Sequence, residues 1–493
     1  MNRIRSTAID IQHMRQQFRY AFLILCLFGQ LASAQTVMIS DPLSIRNDYG
    51  YELIGRLRDR ILLFRDKYEE FEVQAFDAQM RLSWSKKLED LEKRDLQILA
   101  VVPGRNDFSV IFKTKVRNRI QLRVHKYDPG ANLIDSMMMK DYGERFFSPP
   151  LLNYVRSDDR NCFVVYNRTE ASTLEATCFH IDKMTVIWDE VLALREEFDF
   201  VNVRGIVVGN QGEFFIFSEM NNRKSRLNEH SMYLTEMGRS NRNQSATISL
   251  PESFTRDVKF MYDNGQHRVV GAGLFGEKNR ERIHGAFYLS YDPATSKQVL
   301  NYEQFDDQFL SILRRRDTDD DTKGVTDASV QHLIPRMDGG LVLICERFHE
   351  IQRGATTGRG IWRDGMNMIV DYYYDDLFLI AFQPDGKSDW KTVLHKKQYS
   401  QDDDGIFSSY YLFQRPDRLS FLFNDEIRYE NTCSEYVVSP VGEFDRNSVL
   451  NTVGQGMRLR FRDALQLNTE ECLIPSEFRN KLRLVLLRYG GAQ

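Results

Sequence analysis

Past residue 34 the chain has no apolar run approaching the roughly 18 residues of a membrane-crossing helix, so the sequence predicts no transmembrane segment there. Helical periodicity is almost as scarce. Only LEDLEKRDLQIL at 88–99 and EQFDDQFLSILRRR at 303–316 suit a helix, which excludes a helical bundle. No C-x-x-C occurs, so zinc-ribbon and thioredoxin-type sites are excluded. H-E-x-x-H and G-x-S-x-G are missing as well, and with them two common hydrolase signatures. Neither sign of charge dominates: 66 Lys and Arg stand against 70 Asp and Glu, interspersed along the chain. That balance lacks the basic stripe of a nucleic-acid binder.

What the chain does have begins with a leader. Arg15 and Arg19 precede the apolar run YAFLILCLFGQL, and Ala32-Ser33-Ala34 supplies small residues at positions −3 and −1 of a cut before Gln35. This is the pattern of a secretory signal peptide over residues 1–34. It places the mature chain, 35–493, in the periplasm or on the outer surface of a bacterial cell. Removing four Arg and one Asp with the leader takes the formal charge from −4 to −7. Five cysteines remain, at 162, 178, 345, 433 and 472. A hairpin centred near Glu170 would set Cys162 opposite Cys178, within bridging distance. Cys433 and Cys472 form a second candidate pair. The alternative is that all five are small buried residues.

The mature region repeats. Turns after strongly alternating runs fall at Asp77, Asp128, Asp182, Glu236, Asp292, Asp385 and Pro440, spaced 51 to 56 residues apart except for one gap of 93. Each unit reads as four short runs rich in Val, Ile, Leu, Phe and Tyr, divided by charged or Gly turns. Asn210-Gln211-Gly212 and Asp263-Asn264-Gly265 are hairpin signals within such units. Seven four-stranded units predict an all-β, seven-bladed β-propeller of antiparallel blades in a single domain. Stacking twisted sheets around an axis buries each apolar face on its neighbour. The runs TVMISDPLSI and KLRLVLLRYG near the two ends are positioned to close the ring in one blade.

Trp84, Trp188 and Trp390 follow the turn acids by 7, 6 and 5 residues. Their expected role is core packing between blades rather than ligand contact. The segment Gly386-Lys387-Ser388-Asp389-Trp390 resembles the G-K-x-x-W turn of quinoprotein-type (PQQ-like) propeller repeats. The whole chain resembles secreted bacterial propellers of unknown function. The resemblance implies blade geometry; the quinone-contacting and calcium-ligating residues of that family have no counterpart here.

Function on a rigid ring sits in its loops. The 93-residue gap carries insertions at about 303–327 and 349–376. Arg353, Arg359, Trp362, Arg363 and Tyr373 make the second one basic and aromatic, a composition that suits an anionic or sugar-bearing ligand. A long hairpin with its tyrosines turned to the neighbouring blade is the structural alternative. Asp317, Asp319 and Asp321 have the first three spacings of a calcium loop, but Thr322 stands where glycine is needed and Ala328 where the closing glutamate is needed. No other cofactor is expected. The sequence therefore predicts an exported, non-enzymatic scaffold that binds a protein or glycan through blade-six loops and one ring face. The alternative is a propeller enzyme acting on glycans or with a quinone. Arg56, Asn153, Arg204 and Lys259 are expected to line the axis, where the two readings diverge.

Overall fold

A computed structural model describes residues 35–490 except 145–148, 194–201, 223–224, 228, 238–243, 251–252, 279–280, 315–323, 355–367 and 428–431. The predicted leader and the acids Asp317, Asp319 and Asp321 lie outside the described residues, as do Arg359, Trp362 and Arg363.

The described residues form eight antiparallel blades, not seven. Blades 1 to 7 span 48–87, 96–141, 153–193, 203–249, 254–304, 328–394 and 411–451. Blade 8 takes Leu465–Gln466, Glu471–Phe478 and Lys481–Arg488 from the end of the chain, and its outermost strand, Thr36–Ile39, from the beginning. The sequence count fell one short for a topological reason. The repeating turns of the sequence lie between third and fourth strands. Blade 8 has no such turn, because its third and fourth strands lie at opposite ends of the chain. The closing pairing itself is the expected one, with Met38 opposite Leu486.

The core is distributed over the seams between blades. Eight buried clusters each join two successive sheets. One of them unites Ile61, Leu63 and Phe76 of blade 1 with Leu473, Leu484 and Leu486 of blade 8, which completes the circle. A four-stranded sheet with two apolar faces cannot bury them alone, so each blade depends on both neighbours.

The turn acids are structural. Asp77 Oδ1 accepts the Gln79 and Arg81 amides at 2.9 and 2.8 Å, and Asp128 Oδ1 accepts those of Gly130 and Asn132 at 2.8 and 2.9 Å. Each replaces a turn's missing backbone partner. Gly386 has φ +83°, and a Cβ there would meet Tyr288 of blade 5 at 2.7 Å, so only glycine fits. The tryptophans pack in the seams as expected. Trp188 is buried and donates Nε1–H to Gly212 O of blade 4 at 2.8 Å, and Trp390 donates to Pro440 O of blade 7 at 3.0 Å.

The register sets Cys162 opposite His180 and Cys178 opposite Val164, so the face-to-face cysteine pairing is not formed. A hairpin centre displaced by one residue moves each partner by two. Cys433 and Cys472 are buried and unbridged in the seam of blades 7 and 8. Of the two helical candidates, 303–316 contains a helix, Asp307–Arg314, which covers the seam of blades 5 and 6; 88–99 forms turns and then a strand.

Candidate functional site

Strand direction sorts the loops. Turns joining strands one to two and three to four gather on one face of the ring. The two-to-three turns and blade-to-blade connections gather on the other, termed here the connection face. The innermost strands of all eight blades surround the axis.

The blade-six insertion rises on the connection face as a hairpin of Leu341–Gly354 and Met368–Phe382. Arg353 forks onto Asp371, donating Nη2–H at 2.8 Å, and Tyr399 O–H donates to the same carboxylate at 2.7 Å. Asp371 is buried, so this fork anchors the hairpin. Tyr373 stacks on His349 at 4.5 Å and lies 5.1 Å from Tyr399. Both described residues of the expected binding set are thus engaged within the hairpin base.

The axis holds a different arrangement. A cavity of about 650 Å³ runs between blades 1, 2, 3 and 8, lined by Tyr51, Glu52, Arg156, Arg160, Arg460 and Asp463 among others. At the connection face Arg460 pairs with Asp463 at 2.5 Å and with Glu477, which also accepts the Tyr51 hydroxyl at 2.7 Å. Arg462, at the same rim, stacks over Tyr374 of the blade-six hairpin at 4.8 Å.

Deeper in, the balance changes. Arg156 ends the innermost strand Asn153–Arg156 of blade 3, and Arg160 sits in the turn that follows, with φ +64°. Both are exposed to the channel, and among the described residues neither guanidinium makes a hydrogen bond or ion pair. The channel wall around Arg160 and the charge of Arg156 hold its pKa below the ordinary arginine value. Arg160 also interacts electrostatically with Tyr411 of blade 7, half a turn away around the ring, so it reaches across the axis. Asp158 in the same turn attracts Arg160, and the carboxylate that feels Arg156 is Glu52. Its enclosed setting and the charge of Asp463 raise its pKa, against the pull of Arg156. Two cations that repel each other, neither held by a direct carboxylate contact among the described residues, form a candidate anion site. An anion bridging the two forks would relieve the repulsion and satisfy their N–H groups.

The other axis-lining residues expected from sequence are largely satisfied. Arg56 pairs with Glu471 at 2.9 Å. Lys259 donates to Gln331 O at 2.6 Å, and burial, with the Lys259 charge as a smaller cause, lowers His332 to about 4. Asn153 and Arg204 line a second cavity between blades 3 and 4. Arg204 donates Nε–H to Glu219 at 2.5 Å, and Glu219 in turn faces His230 Nε2 at 2.8 Å, while His230 Nδ1 faces Ser253 O at 2.6 Å. Burial works to raise Glu219, but the His230 hydrogen bond and the Arg204 charge hold it below the usual range. The Glu219 and His230 side chains are each 1% exposed and tie strands together, while Arg204 stays 43% exposed at the cavity wall.

Sequence reasoning singled out Asn153 and missed Arg156 and Arg160. In LLNYVRSDDR the two arginines bracket acids and read as an ordinary solvated turn. Only the closed ring turns them inward. Among the described residues no group of three or more His, Cys, Asp or Glu is placed to hold a metal, and no helix is long and apolar enough to cross a membrane.

No protein family and no curated protein matches the chain in sequence. Solved structures match in fold. Porphyromonas gingivalis dipeptidyl peptidase 4 aligns at 9% identity with a TM-score of 0.42, covering 88% of this chain and 56% of that one. Polysaccharide lyase Uly1 aligns at 7% identity and 0.38, covering 79% and 89%. The β-propeller domain of the Trilobed protease from Pyrococcus furiosus aligns at 8% and 0.35, covering 84% and 98%. The chain spans 55% of the length of a prolyl endopeptidase that it also resembles, at 10% identity and 0.37. These are remote likenesses, and the quinoprotein-type resemblance rests on its turns alone.

Proposed function

We propose that this chain is an exported binding propeller whose central channel receives an anionic group of a glycan or protein partner. The Arg156 and Arg160 pair carries the reading: two channel-facing guanidiniums without a hydrogen bond or ion pair among the described residues. Supporting it are the signal-peptide pattern at residues 1–34 and the stacking of Arg462 on Tyr374, which sets the base of the blade-six hairpin beside the channel mouth. The hairpin adds contact at the connection-face rim, and the ligand extends along the channel to the arginines, which lie toward the opposite face. The role requires no cofactor.

The test is thermal unfolding in sodium sulfate against sodium chloride of equal ionic strength. A ligand of the folded state raises its melting temperature. Above the general stabilisation that sulfate gives folded chains, it is expected to add an increment in the native chain that R156A/R160A lacks. An equal increment in both would refute the reading.

A catalytic alternative rests on Glu52, whose raised pKa in a cleft beside arginine suits a general acid. If it holds, E52Q retains ligand binding and abolishes turnover. Binding without turnover in the native chain favours the scaffold.

A further inference from the structure

Tyr49 and Tyr68 stand on the connection face of blade 1, 69% and 67% exposed, with ring centroids 5.8 Å apart. Large aromatic rings at this exposure are unusual for core-forming residues and mark contact surfaces when they cluster. Neither hydroxyl makes a hydrogen bond among the described residues. Their placement has a backbone cause. Asp48 pairs with Lys67 and Gly50 with Asp66, so Tyr49 is the extra residue of a β-bulge. A bulge re-aims a side chain out of the strand's alternation, and bulges recur beside functional sites.

The bulge turns Tyr49 to a place where two cavities meet. It lines the channel cavity that ends at Arg156 and Arg160, and also a cavity of about 500 Å³ that it shares with Tyr68, Asp66, Lys93 and Gln97. Lys93 lies over the Tyr49 ring at 5.1 Å and over Phe71 at 4.1 Å, and it pairs with Asp66. The Gln97 side-chain amide is exposed and makes no hydrogen bond among the described residues. Flat aromatic faces are thus bordered by a carboxylate, an ammonium and a free amide.

We infer that Tyr49 and Tyr68 form a sugar-stacking subsite continuous with the channel, and that the ligand is an acidic polysaccharide. This rests on the channel reading above and names its ligand class. The C–H faces of a pyranose carry slight positive charge and settle on the negative face of an aromatic ring. Its ring-edge hydroxyls need donors and acceptors beside that ring, which Asp66, Lys93 and Gln97 supply. An acidic peptide would be served by the arginines but has little use for two tilted rings in a polar frame. A neutral glycan would use the rings and leave the arginines unpaired. Only a chain bearing both sugar faces and carboxylate or sulfate groups uses both halves.

The probe is affinity gel electrophoresis of the mature chain in gels cast with alginate, carrageenan, neutral dextran or polyglutamate, with Y49A/Y68A and R156A/R160A run beside it. Both tyrosines are exposed, so their removal leaves the core intact. At least one of alginate and carrageenan is expected to retard the native chain, and dextran to leave it unretarded. Y49A/Y68A is expected to weaken retardation at least tenfold while keeping the added sulfate increment; R156A/R160A loses both. If Y49A/Y68A is retarded like the native chain, or polyglutamate is bound as tightly as the polysaccharides, the ligand class is wrong and the anion site stands. If neither alginate nor carrageenan is bound, the inference is overturned. Loss of the added sulfate increment from the native chain itself overturns the channel reading instead.

Discussion

At the residue scale, what matters is which charges the fold has paired and which it has left open. Lys396 is fully buried and holds Glu346 at 2.7 Å, Tyr374 O at 3.0 Å and Gln398 Oε1 at 3.1 Å. It ties the base of the blade-six hairpin to the segment that follows the blade's last strand. Substituting Lys396→Ala strands Glu346 in the core, and urea unfolding is expected to show a loss of about 3–5 kcal/mol. Glu52 has the opposite character, because its charge is unwelcome. Its folded pKa is raised above the unfolded one. Its contribution to stability is therefore full below the unfolded value and lost as pH rises through the folded value. Protonation also removes a negative charge beside Arg156. Sulfate affinity, measured by calorimetry, is expected to rise as pH falls toward the ordinary glutamate range, and Glu52→Gln to flatten that part of the curve. Neither behaviour was legible in the sequence. KKQ around Lys396 and YEL around Glu52 look like surface strand ends, and their roles depend on what other blades bring against them.

At the element scale, the strands were readable and their partnership was less so. Period-two runs such as EVQAF and IQLRVHKY are strands, and the turn acids do end third strands. The eighth blade escaped the count because its strands are split between the chain ends, a long-range fact that no local pattern encodes. The bulge at Tyr49 was equally hidden, since it depends on how Asp48 and Gly50 register against the next strand. The split blade is the ring's mechanical weak point. Ser40 N donates to Leu484 O at 2.9 Å, and Leu484 N donates to Ser40 Oγ at 2.9 Å. Removing residues 35–44 strips a strand from blade 8 and leaves an open sheet edge. Its melting temperature is expected to fall by more than about 5 °C, with greater aggregation in light scattering. An unchanged melting temperature would mean that the closure is dispensable.

At the scale of the whole molecule, one physical idea organises the chain. Eight small sheets each lack the means to bury two apolar faces, and arranging them in a circle gives each face a neighbour. The same arrangement creates an axis, and turn residues that would be solvated on an isolated hairpin project into it. Arg156 and Arg160 acquire their character in this way, as does the electrostatic reach of Arg160 to blade 7. All-β repeat architecture was visible from the spacing of turns. The channel's chemistry was not, because it is assembled from blades 1, 2, 3 and 8 and no stretch of sequence contains it. The most direct measurement of the central claim is anomalous diffraction from crystals of the mature chain soaked in selenate. An anomalous peak bridging the Arg156 and Arg160 guanidiniums inside an eight-bladed ring is the expected result. Selenate elsewhere, with both arginines folded onto carboxylates, would contradict it.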